Sequence, residues 1–149
     1  MAYTQLLYHI IFRTKGSVPS INFENERTMY HYIYSTSRNL GCIIHRIGGM
    51  PDHIHILVGL PADMPPSIYV EKIKVSTSKK FKGSELFPLF TGWATGYAAL
   101  TYSYRDKDLI TNYIIRQKKH HLTIAFSLEL RNLLLENGVE INEDYFLKD

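Results

Sequence analysis

Cysteine is almost missing from this chain of 149 residues: Cys42 is the only one. That excludes an intramolecular disulfide and a thiolate zinc cluster, and it fits a reducing cytoplasm. Long apolar runs are missing too, since no stretch approaches the roughly 20 consecutive apolar residues of a membrane span. The chain enters a strand-like pattern at once, and no signal peptide is visible. A cytoplasmic location with no membrane partner is therefore expected. No Gly-rich loop of the Walker type occurs, which argues against a bound nucleotide cofactor. Internal repeats, low-complexity tracts and interdomain linkers are lacking as well. A single domain over residues 1–149 is expected, large enough to bury a core without staples.

Acidic residues are scarce except at one end. Residues 136–149 carry Glu136, Glu140, Glu143, Asp144 and Asp149 against Lys148 alone, a balance of −4, so the formal total of +3 leaves +7 on residues 1–135. A basic body with eleven tyrosines suits a nucleic-acid partner, with cations for phosphates and rings for unpaired bases. The same balance also fits a mildly basic protein with no such role.

The stretch that organises the chain is Met50-Pro51-Asp52-His53-Ile54-His55-Ile56-Leu57-Val58-Gly59. Alternation and β-branched content predict a strand, in which residues i and i+2 share a face. His53 and His55 then project side by side, while Ile54, Ile56 and Val58 face the core. Two neutral imidazoles about 7 Å apart along a strand can chelate one divalent metal. Two polar residues on a solvated sheet face would give the same pattern.

Residues 5–13 are apolar on both faces and predict a central strand. A helix is expected from Phe23 to Leu40, with Gly41 as its stop. A second strand is expected from Cys42 to Ile47, with Gly48-Gly49-Met50-Pro51-Asp52 turning the chain into the histidine strand as a hairpin. A second helix from Ser67 to Lys82 carries Lys72, Lys74, Lys79, Lys80 and Lys82 against Glu71. This is either a solvated face or a phosphate-contacting one. Trp93 to Tyr102 reads as a fourth strand, residues 106–121 as a helix, and Ser127 as the N-cap of a last short helix through Leu135. The order β-α-β-β-α-β followed by helices predicts an α+β, ferredoxin-like antiparallel sheet.

On the helix 106–121, Leu109, Ile110, Tyr113, Ile114, Gln117 and His121 form one stripe. Its first half is apolar, but Gln117 and the His120-His121 pair stand where aliphatic residues belong, and polar residues at core-facing positions need a reason. Tyr113 and Gln117, four apart, are neighbours on that face.

Taken with His-x-His, this pattern resembles the single-tyrosine HUH transposases of small insertion sequences that move as single-stranded DNA, and their relatives the REP-associated tyrosine transposases. The resemblance spans Tyr8-His9-Ile10-Ile11-Phe12 with Thr14-Lys15, Pro51-Asp52-His53-Ile54-His55, Trp93-x-x-Gly96-Tyr97, and Tyr113-Ile114 with Gln117 and His120-His121. It continues through Phe126, Leu133-Leu134, Asn137-Gly138-Val139-Glu140 and Tyr145. Ala94-Thr95 and Arg116 depart from the usual pattern, which leaves the DNA sequence preference unread.

The resemblance implies a DNA transposase that cuts and joins single strands through a 5′-phosphotyrosine, with Tyr113 as nucleophile. His53, His55 and Gln117 would hold Mg²⁺ or Mn²⁺. It also implies recognition of hairpins near element ends. A homodimer is implied too, pairing its fourth strands, with composite sites in which the histidines of one chain work with Tyr113 of the other, while the short linker Ser103–Arg105 equally permits docking in cis. Lys72, Lys74, Lys79, Lys80, Lys82, Lys118, Lys119, His120 and His121 are candidates for DNA contact. The competing readings are a domesticated HUH endonuclease acting on repeat hairpins and a non-catalytic single-stranded DNA-binding module.

Overall fold

In the computed structural model, which describes residues 2–148, β1 (Leu7–Arg13) lies inside a four-stranded antiparallel sheet. The sheet order is β2-β3-β1-β4, with β2 at Ile43–Met50, β3 at His53–Gly59 and β4 at Ala98–Tyr102. Helix α1 (Glu26–Asn39) joins β1 to β2, and α2 (Pro66–Phe81) joins β3 to β4. This is the expected ferredoxin-like arrangement. Helices α3 (Lys107–Ile115), α4 (Gln117–His120) and α5 (Phe126–Glu136) follow it. Among the described residues no helix is long and apolar enough to cross a membrane.

Strand register divides the side chains between two layers. Ile10 pairs with Ile56 and Phe12 with Ile54, and this face packs against Met29 and Ile33 of α1 and Val70, Ile73 and Phe81 of α2. Between these helices Ser37 Oγ and the Tyr69 hydroxyl form a buried 2.7 Å hydrogen bond. The other face carries Leu7, His9, Ile11, His53, His55 and Leu57. It meets Ile110 and Ile114 of α3 and Phe126 and Leu133 of α5. A strand covered by helices on both faces must be apolar on both, which is why β1 reads as a continuous hydrophobic run.

Several boundaries differ from the sequence expectation. Strand β2 continues through Gly48-Gly49-Met50, so the turn shrinks to Pro51-Asp52. Gly48 stays in the strand because α3 crosses it: a Cβ there would sit 2.7 Å from Ile114 Cγ2 and 3.1 Å from its carbonyl oxygen. Strand β4 loses its first half, and Trp93 keeps only an isolated bridge to Thr14. That half is held by α2 instead: Trp93 donates to Thr77 Oγ1 at 2.7 Å, and Lys74 Nζ reaches the carbonyls of Ala94 at 2.9 Å and Gly96 at 2.6 Å.

The single helix expected over 106–121 is broken at Arg116, whose ψ of 7° leaves the helical region and separates α3 from α4. Leu109 does not join the packing stripe, being 68% exposed. The last helix begins at Phe126, with Ala125 rather than Ser127 at its N-cap.

Candidate active site

The site forms where β3 passes beneath α3, α4 and α5. Strand periodicity puts His53 and His55 on the same face, both fully buried. The close approach at Gly48 lets α3 lie on the sheet, bringing Tyr113 to the imidazoles, with ring centroids of His55 and Tyr113 5.8 Å apart. In this single chain the tyrosine and the histidines meet in cis, one of the two dockings that the sequence leaves open.

Glu129 of α5 stands at the centre, with its side chain 1% exposed. Its Oε2 accepts from Gln117 Nε2 at 2.6 Å and from the Tyr113 hydroxyl. Its Oε1 accepts from His121 Nε2 at 2.9 Å and lies 3.4 Å from Nε2 of both His53 and His55. His120 Nε2 is 3.6 Å from Oε2. Gln117 bridges the two sides, since its Oε1 accepts from His53 Nε2 at 2.9 Å. The other nitrogen of His53 donates to Asp52 Oδ1 at 2.7 Å. The reading from sequence missed Glu129, Asp52 and His9 as members of the site.

The charges follow from these contacts. Burial opposes a charge on His53, but its hydrogen bonds to Asp52, Glu129 and Gln117 override burial and raise its pKa to about 9. At neutral pH His53 is thus an imidazolium donating from both nitrogens. His55 goes the other way: burial, aided by the charge on His53, lowers it to about 4. Burial alone would push Glu129 up, yet the surrounding His121, His53 and His55 hold it far below the ordinary carboxylate range. Tyr113 is raised above the usual phenol value by burial and then by its bond to Glu129, so the resting phenol is neutral.

The donor set fits a divalent cation. Nε2 of His53, Nε2 of His55 and a carboxylate oxygen of Glu129 all lie within 4.8 Å of one another. His55 Nε2 is buried without a hydrogen bond, and it faces Glu129. An orphaned lone-pair donor beside a carboxylate is what a metal ligand looks like before its ion arrives. His53 would release its Nε2 proton on ligation, as metal-bound imidazole must.

The model of the family described as "Transposase IS200 like" matches residues 2–117. This chain belongs to that family. Its fold is similar to that of a candidate transposase from Deinococcus radiodurans R1, with TM-score 0.60 and 21% identity, covering 78% of this chain and 93% of that one. It is similar also to a REP-associated tyrosine transposase solved bound to a REP hairpin, with TM-score 0.62 and 16% identity, covering 81% of this chain and 72% of that one. No curated protein matches the sequence.

In this IS200-like chain the expected site residues separate into two groups. Tyr113, His53, His55, Gln117, His120 and His121 converge as described. The lysines of α2 do not, because α2 covers the opposite face of the sheet. Lys72, Lys79, Lys80 and Lys82 are exposed there. The Lys74 ammonium is engaged by the Ala94 and Gly96 carbonyls, and burial, with Arg13 nearby, lowers its pKa to about 8. These bonds fasten the segment before β4 to α2. Lys118 pairs with Glu26 at 2.9 Å and reaches the Gly49 carbonyl at 3.3 Å, while Lys119 is exposed.

Glu129 carried a readable signal. Phe126, Glu129, Leu130 and Leu133 share one helical face, so an acid stood at a core-facing position, as Gln117 did.

Proposed function

We propose that this IS200-like transposase cleaves and rejoins single-stranded DNA through a 5′-phosphotyrosine on Tyr113, with hairpin DNA as its partner. The observation that carries the reading is the hydrogen-bonded set in which Tyr113, Gln117 and His121 meet on Glu129, with Nε2 of His53 and His55 beside it.

Tyr113 lines a groove of about 380 Å³ with Leu109, Asn112, Arg116 and His120, where the Arg116 guanidinium offers a cation to a strand's phosphates. The phenolic oxygen attacks phosphorus and the bond to the 3′ oxygen breaks. The phenol's proton passes to solvent as the bond forms, and the departing 3′ oxygen takes a proton from solvent in return. The phosphotyrosine conserves the phosphodiester bond energy, so rejoining needs no nucleotide. His53 and His55, with Glu129 or the Gln117 amide oxygen, would hold Mg²⁺ or Mn²⁺, and the ion supplies polarisation of the phosphate and stabilisation of the leaving oxygen. A homodimer paired through β4 is part of the proposal: β4 has β1 as its one neighbour in the sheet, and an edge strand invites pairing.

The test is incubation with single-stranded DNA from the flanks of the protein's own gene plus Mg²⁺. A covalent protein–DNA adduct is expected, lost in Tyr113→Phe and in EDTA, with hairpin binding retained by the mutant. An adduct of full yield in Tyr113→Phe would reassign the nucleophile. The intact set around Tyr113 weighs against a non-catalytic binding module.

A further inference from the structure

The reaction proposed above gives no task to His9. This residue of β1 is fully buried, with its Nε2 2.7 Å from Nδ1 of His55. The two rings stack at a centroid distance of 5.0 Å and an interplanar angle of 29°. Its other ring neighbours are Tyr102 at 6.3 Å and Tyr113 at 5.9 Å. Nδ1 of His9 is buried with no hydrogen-bond partner among the described residues. Leaving a buried polar atom unsatisfied is costly, so packing alone does not account for an imidazole at this position.

A count of protons shows what His9 contributes. A neutral imidazole has one N–H and one lone pair. If His55 donates from Nδ1 to His9, its lone pair must lie on Nε2, the nitrogen that faces Glu129 at 3.4 Å without a hydrogen bond. Without an acceptor at Nδ1, the Glu129 carboxylate would draw the proton to Nε2 and block it. Asp52 performs the matching task for His53 at 2.7 Å, but with a charge. His9 does it without adding a further acid beside Glu129 and Asp52.

We infer that His9 is a positioning residue that fixes the ring and tautomer of His55, so that its Nε2 lone pair is presented to a divalent cation. The inference rests on the metal reading above. Partners of this kind behind metal-bound histidines change affinity about 10–100-fold when removed.

The experiment is titration of the full chain with Mn²⁺ by calorimetry, for wild type, His9→Phe and His9→Gln. Phe keeps the volume and removes the acceptor, while Gln places an amide oxygen near the original Nε2. Expected are an affinity reduced about 10–100-fold in His9→Phe and substantial recovery in His9→Gln. Equal affinity in wild type and folded His9→Phe overturns the inference, as does equal loss in both variants, which would mark a purely structural role. Should His9→Phe fail to fold, nitrogen-15 NMR of wild type loaded with Mg²⁺ decides: a proton on Nδ1 of His55 supports the inference and a proton on Nε2 overturns it. Wild type that binds neither ion overturns the metal reading itself, and this inference with it.

Discussion

The Tyr113 hydroxyl donates to Glu129, sixteen residues further along the chain, so the proposed nucleophile and the proposed metal site share one carboxylate. The same acid receives Gln117 and His121. Changing it should therefore disturb the nucleophile and the metal ligands together.

Glu129→Gln keeps the shape and removes the charge. Mn²⁺ affinity should fall by at least ~10-fold, with adduct formation falling alongside. Calorimetry and gel analysis of the adduct are the measurements. Unchanged Mn²⁺ affinity would assign the third ligand to Gln117 and leave Glu129 to the tyrosine alone.

Stability of the metal-free protein should depend on pH through His53. Its folded pKa of about 9 lies above the unfolded value of about 6.5. The stabilisation is therefore fully present below about pH 6.5 and is lost as pH rises through about 9, on the order of 3 kcal/mol. His55, lowered to about 4, acts in the opposite sense: its contribution is present above about pH 6.5 and lost as pH falls through about 4. Melting in EDTA from about pH 5 to about pH 10 should show a maximum between these limbs. A His53→Asn variant should lose the alkaline decline, and an alkaline limb unaltered by that change would mean His53 is neutral in the folded chain.

Gly48→Val should uncouple the tyrosine from the histidines. The added Cβ falls 2.7 Å from Ile114 Cγ2, and the carbonyl oxygen at 3.1 Å leaves little room for relief. Overpacking of this kind costs about 1–3 kcal/mol. It should shift α3 while sparing β3, so adduct yield should drop more than Mn²⁺ affinity does. Adding Ile114→Ala should restore part of the yield. Equal losses of both properties would show that the strand had moved as well.

Mixed dimers decide how the chains share their sites. Tyr113→Phe protein combined with His53→Ala/His55→Ala protein should stay inactive if the cis arrangement seen here is the working one. Recovery of up to about half the wild-type yield per heterodimer would mean the tyrosine helix is exchanged. Subunit exchange needs independent verification, for instance by native mass spectrometry.

The parts of the fold that were legible in the sequence are those governed by local period. His53 and His55 could be paired because a strand repeats every two residues, and Tyr113 with Gln117 because a helix brings residues four apart together. The illegible parts depend on contacts between distant segments. Nothing local says that Gly48 must stay in a strand to admit Ile114, that Lys74 ties down the backbone at Ala94 and Gly96, or that Arg116 breaks a helix. His9 was hidden for another reason: in a strand apolar on both faces, one imidazole reads as filler until its partner across the sheet is known.

The family match ends at Gln117, while Glu129 lies on α5, beyond it. A minimal fragment designed from the motifs, stopping after His121, would retain every histidine, the tyrosine and the glutamine. It would lack the acid that balances them. Such a fragment would keep the family's signature on paper while gathering imidazoles around an empty centre, where their mutual repulsion is uncompensated. It should fold less stably than the longer chain and hold a cation more weakly. Fusions and truncations of this protein should accordingly be joined after α5.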